Sequence, residues 1–158
     1  MTGRAEVSRL KAQLDATFAR GKKLAVTGAD LETQSDFARY LCVLVSGFLE
    51  KAVTELLLEH SRRSGGPTLQ RFVEMNTQKF TNAKAEKLKI ILGSFSSDWR
   101  AKLDVILVDE SKAAVDSVIG LRHQIAHGGS ASVTYSRISE YYKRIQIVVD
   151  QIADICVP

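Results

Sequence analysis

The chain has 158 residues, 45% of them hydrophobic and 25% charged, with a formal net charge of +4 and a sequence pI of about 9.1. That length suits one domain with a real core, a single unit over 1–158, and the composition is ordinary for a globular chain, with nothing that argues for disorder. No apolar run approaches the roughly 20 residues a membrane helix needs, the opening MTGRAEVSRLKAQ lacks the pattern of a secretory signal, and the expected compartment is the cytoplasm.

Cys42 falls in an apolar run and Cys156 near the C-terminus. They form no CxxC pair, and the three histidines are not spaced to complete a zinc set. A buried thiol and a tail thiol are expected, with no metal and no cofactor. The mild basicity permits a polyanionic partner without demanding one. Its cations come in small groups, among them Arg62 and Arg63; Lys79, Lys84, Lys87 and Lys89; and Arg137, Lys143 and Arg144. Such a spread usually describes a solvated surface.

Pro67 and Pro158 are the only prolines, so long helices can run unbroken. No repeat and no strand-like alternation of any length is visible. Val7, Leu10, Leu14 and Phe18 predict a first helix over about 4–20, with Gly21 as its stop and a loop through TGAD. The second helix is the clearest element, over about 31–60. Its apolar face includes Phe37, Tyr40, Leu41, Leu44, Val45, Phe48, Leu49, Val53, Leu56 and Leu57, a stripe broad enough for a central helix. SRRSGGP then breaks the chain.

Short helices are expected in TLQRFVEMN after Pro67, in TNAKAEKLKIILGSF up to Gly93, and in SSDWRAKLDVIL with Ser96 or Ser97 as N-cap and Trp99 as anchor. DESKAAVDSVIGLRHQIAHGG reads as a long helix with Asp109 at its N-cap. The last helix spans about 134–155, with Ile138, Tyr141 or Tyr142, Ile145, Val148, Val149 and Ile152 inward. Only one of the adjacent tyrosines can face the core fully; the other is a candidate for a dimer contact or a cleft. The fold class is all-α: an antiparallel bundle of four to five main helices plus short connecting ones.

GLRHQIAHGG, residues 120–129, places Arg122, His123 and His127 together just before two glycines. Glycine takes the left-handed conformation that closes a helix, so His127 belongs to the last turn. His123 and His127, four apart, share a side of the helix. Arg122 and His127 are five apart, about 140° around the axis. They converge only if Arg122 extends along the helix, if the last turn unwinds, or if a second copy faces the first.

The residue types suit RNA cleavage. Attack of a ribose 2′-OH needs a base, an acid for the leaving oxygen and a cation on the phosphorane, and histidine and arginine supply these without a metal. The same residues also suit simple capping and dipole complementation of a helix end, and spacing alone does not decide between the two. Glu50 and Glu55 are candidates to reach the same cleft, with a salt-bridge role as the simpler reading. His60 reads as a helix-end cap.

LRHQIAHG resembles the signature of HEPN domains, all-α proteins whose motif is an arginine, a polar residue, a gap and a histidine. Arg122 matches the arginine, His123 the polar position and His127 the histidine. LVSGFLEKAVTELLLEH and SSDWRAKLD resemble the RiboL-PSP-HEPN subgroup in particular, and the resemblance covers roughly 30–155.

The resemblance implies a metal-independent endoribonuclease with RNA as substrate. It implies a homodimer with facing motifs, and a role as a toxin or phage-defence effector held by an antitoxin or regulatory protein. In that scheme Arg122 holds the scissile phosphate, His127 transfers protons, and His123 orients them or touches substrate. A HEPN module that has lost catalysis and only binds RNA or protein is the alternative. Some family members paired with nucleotidyltransferase antitoxins carry a modifiable tyrosine two residues after the histidine; here that position is Gly129, so that form of control is not expected.

Overall fold

The computed structural model describes residues 2–129 and 131–158. Among them are seven helices and no strand: α1 (Gly3–Val26), α2 (Leu31–Ser64), α3 (Pro67–Thr77), α4 (Ala85–Gly93), α5 (Ser97–Ile106), α6 (Asp109–Ala126) and α7 (Tyr135–Cys156). The expected all-α bundle is therefore what the chain forms, with α1, α2, α6 and α7 as its long members and α3–α5 strung between α2 and α6.

Side-chain contacts fix the directions. Tyr135 Oη donates to Phe18 O at 3.1 Å, while Arg4 at the other end of α1 donates to Val157 O at 2.9 Å, so α7 runs antiparallel to α1. Gly3 N donates to Glu59 Oε2 at 3.3 Å, which makes α2 antiparallel to α1 as well. α2 and α7 are consequently parallel, and α6, joined to α7 by a short link, runs against both. Cys42 Sγ meets Val118 O at 3.7 Å and marks the level at which α2 and α6 cross.

The core gathers around α2, whose Leu41, Val45, Leu49, Val53, Leu56 and Leu57 are fully buried. Each such side chain contributes roughly 2 kcal/mol relative to exposure. From α7, Ile138, Ile145, Val148, Val149 and Ile152 meet them. Tyr142 is the inward member of its pair, stacked on Phe18 with centroids 4.6 Å apart and donating to Asp15 Oδ1 at 2.6 Å. Tyr40, counted on the apolar face of α2 by spacing, is instead half exposed; it lies at the edge of a stripe wider than its partners cover.

Four helix ends differ from expectation; among them, α4 starts only at Ala85, four residues into TNAKAEKLKIILGSF. Gly21 does not stop α1, which continues to Val26. A Cβ at Gly21 would lie 2.9 Å from the Phe37 ring and 3.1 Å from that of Tyr135, so this glycine serves close packing. The stop is Gly28, at φ +79°. α2 extends past His60 to Ser64 before Gly65 and Gly66 end it. Asp109 is the first residue of α6, at φ +47°, and Val108 holds the N-cap position. Asp109 and Glu110 still place negative charge at the positive end of the helix dipole. Ser96, Asp30 and Thr134 cap α5, α2 and α7 through their side chains, as short polar residues there should.

Candidate active site

α6 carries the cluster because its sequence changes character along one face. Val115, Val118 and Ile119 are buried against the core. Arg122 continues their side of the helix near the end of the bundle and is half-buried, which lets its apolar stem cover the core edge while the guanidinium emerges. His123 and His127 lie on the exposed side. Their rings touch, with centroids 4.3 Å apart and planes at 54°.

The end of α6 is a closed Schellman turn. His127 N donates to His123 O at 3.1 Å, Gly128 N to Ile125 O at 3.3 Å and Gly129 N to Gln124 O at 2.9 Å. Gly128 supplies the left-handed residue at φ +72°. The i to i−4 bond of His127 is intact, so the last turn is not unwound. Of the three routes by which Arg122 and His127 converge, one is thereby removed. Extension of Arg122 and a facing second copy remain.

Most arginines of the chain with a resolved partner are held by carboxylates. Arg62 and Arg63 bind Glu59, Arg137 pairs with Glu140, and Arg144 with Glu110. Among the described residues Arg122 has no ion pair and no side-chain hydrogen bond, and neither imidazole of the cluster has a hydrogen bond. Nor, among the described residues, do any three of histidine, cysteine, aspartate and glutamate gather to hold a metal ion.

The other candidate residues do not join this site. His127 lies nine residues beyond the level of Val118, and Glu50 eight residues beyond Cys42 in the opposite direction. At 1.5 Å per residue they are about 25 Å apart along the bundle. Glu50 Oε1 takes a 3.4 Å bond from Ser46. Glu55 faces the start of α1, its carbonyl beside Gly3. His60 is further away still. Its Nδ1 bonds Cys156 O at 3.0 Å and its ring packs on Trp99 at 4.5 Å, so it ties α2 to the end of α7 and does not cap its own helix. Trp99, stacked on Phe95, is the anchor of α5. Cys156 is buried like Cys42, not an open tail thiol, and burial raises both thiols, to about 12 and about 11.

One neighbouring feature had only a partial sequence signal. Tyr141, the outward tyrosine, lines a shallow cavity of about 390 Å³ with Gly120, Gln124, Ser132 and Arg137. Gly120 and Gln124 fall within about 60° of His127 around the axis. The tyrosine pair predicted an outward ring, but the contribution of Gln124 and Ser132 depends on how the α6–α7 link folds back.

The fold defines the class first: an α-helical bundle with an arginine and two histidines at the closing turn of its penultimate helix. The family follows from comparison. The RiboL-PSP-HEPN family model matches residues 5–157, and the chain belongs to that family. The match takes in α1 and so extends beyond the 30–155 segment in which the resemblance is visible. A search of the curated proteins finds no match, and neither does a search of the solved structures. No helix among the described residues is long and apolar enough to cross a membrane.

Proposed function

We propose that the chain is an endoribonuclease that cuts RNA without a metal ion and works as a homodimer, with Arg122, His127 and His123 from facing α6 helices in one composite site. The observation that carries this reading is the unengaged state of Arg122 in the same helix end that carries two exposed imidazoles in contact with each other. Arg63, by contrast, is tied to Glu59 at 3.0 Å, whereas the Arg122 guanidinium is free to take a phosphate. Membership of a HEPN-type family supports the same reading.

In the reaction, a histidine base takes the proton of the ribose 2′-OH as O2′ bonds to phosphorus. The P–O5′ bond breaks, and a histidine acid returns a proton to the leaving oxygen. The products are a 2′,3′-cyclic phosphate and a 5′-hydroxyl. His127 is the proton-transfer residue, receiving the 2′-OH proton and then giving a proton to O5′, and His123 orients Arg122 or His127 or touches the substrate. Arg122 offers a forked, permanently charged donor set to the phosphorane oxygens. Such an enzyme serves as a toxin or phage-defence effector, restrained by a separate antitoxin or regulatory protein.

Subunit mixing tests the composite site. Arg122→Ala and His127→Ala proteins are each expected to be folded, dimeric and inactive on RNA: His127 is exposed, where substitutions shift stability by only about 0.5 kcal/mol, and Arg122→Ala gives up only the packing of a half-buried stem. Mixed dimers retain one Arg122 and one His127 on different subunits and are expected to recover cleavage. Full activity in either single variant, or a monomeric active species, would overturn the reading. A wild-type dimer that binds RNA in a salt-sensitive way and leaves it intact would place the chain among binding modules.

A further inference from the structure

We infer that the trough between α3 and α4 docks an acidic amphipathic helix of a partner protein. The trough lies at the His60 end of α2, about 40 Å along the bundle from His127 at 1.5 Å per residue, so its occupant leaves the Arg–His cluster open. The inference needs nothing from the proposed ribonuclease activity.

Sequence and packing create the trough. α3 follows the Gly65–Gly66 break and rests on α2 through Val73 and Thr77, its only buried residues. α4 packs inward through Ala85, Leu88 and Leu92. The facing sides of the two short helices stay apart and leave a cavity of about 820 Å³, with Phe80 and Phe95 in its lining. One wall carries Leu69, Phe72 and Asn76, the other Lys87, Ile90 and Ser94. Both rows have the three- and four-residue spacing of a helix face.

Three observations select the occupant. First, the wall side chains are widely exposed: Phe72 64%, Ile90 56% and Leu69 47%. A small-molecule pocket encloses most of its ligand, whereas an open trough between two helical rows accepts the ridge of a third helix. Second, no aspartate or glutamate lines it, while Lys79 and Lys87 do. Among the described residues neither lysine has an ion pair. Lys87 Nζ donates to Thr81 O and stands 5.5 Å from the centre of the Phe80 ring. Third, the chain's own exposed helix is a poor fit in charge. α3, PTLQRFVEMNT, has a single acid, Glu74, so a second copy offers the lysines little. A lipid surface suits a convex face, not a concave one.

The test is selection of helical peptides of about 16 residues from a displayed library on the full chain, followed by fluorescence anisotropy of the enriched peptides. Apolar residues at i, i+3 or i+4 and i+7, flanked by Asp or Glu, are expected among them. Phe72→Asp is expected to weaken binding by about tenfold or more, as loss of a central aromatic contact does, with an unchanged melting temperature because Phe72 is outside the core. Lys79→Glu with Lys87→Glu is expected to reverse the preference toward basic peptides. Enrichment of basic or extended peptides would overturn the proposal, and so would equal binding to Phe72→Asp. Self-association that Phe72→Asp abolishes would also overturn it, in favour of a second copy.

Discussion

Glu59 shows what a charged side chain does when it belongs to the fold. It is 7% exposed and accepts from Gly3 N, Arg63 Nε and Arg62 Nη1. Burial by itself would raise its pKa; the Gly3 amide and the two guanidiniums outweigh that and hold the carboxyl below its usual value. A carboxylate depressed in the folded state stabilises the fold above its unfolded pKa, near 4.3, and that contribution is lost as pH falls through the lower folded value. Chemical denaturation of wild type and Glu59→Gln across this range is expected to show a stability gap that narrows on acidification; a constant gap would mean that Glu59 acts by shape alone. Arg122 is the opposite case, a half-buried cation with no ion pair and no side-chain hydrogen bond among the described residues. The motif residues themselves were legible, since three residue types and two glycines are local information. Their unengaged state was not, because partners such as Gly3 and Glu59 are 56 positions apart in the chain.

Helix ends reveal the same division between local and distant causes. The close of α6 at Gly128 was legible because the Schellman turn uses only neighbours in sequence. Gly21 looked like an equal stop, yet it is buried beneath Phe37 and Tyr135, and only tertiary packing distinguishes a glycine that ends a helix from one that lets another helix approach. The extension of α2 to Ser64 has a local cause instead: Glu59 pairs with Arg62 and Arg63 three and four residues on, along one side of the helix. Two substitutions in α6 separate the roles of glycine. Gly128→Ala places a Cβ at φ +72° and is expected to cost about 1 kcal/mol and to loosen the turn that carries His127. Gly120→Ala meets nothing within 4 Å, relieves the backbone entropy of a helical glycine and is expected to stabilise by about 0.5 kcal/mol. Urea midpoints measure both; equal signs would contradict this account of the α6 terminus.

The whole molecule separates two surfaces. The parallel arrangement of α2 and α7, with α6 running against them, brings the Arg–His cluster to the end of the bundle where α1 finishes and α7 starts. The α3–α4 trough occupies the other end. The bundle class was legible from helical periodicity and the scarcity of proline. Helix directions and the trough were not, since α3 and α4 each read as ordinary amphipathic segments and only their failure to meet leaves Phe72 and Ile90 uncovered. Nor does spacing alone bring Arg122 and His127 together; about 140° separates them on a regular helix, and the intact closing turn preserves that angle. The proposed composite site accordingly rests on a facing second copy or on an extended Arg122. Its most direct measurement is cleavage of a mixed, end-labelled RNA pool in EDTA by the wild-type protein and by the Arg122→Ala, His127→Ala double variant, with the product ends identified. Cutting by the wild type that leaves 2′,3′-cyclic phosphate ends, absent in the folded double variant, is the predicted result; intact RNA with a folded wild-type dimer, or equal cutting by both proteins, would contradict it.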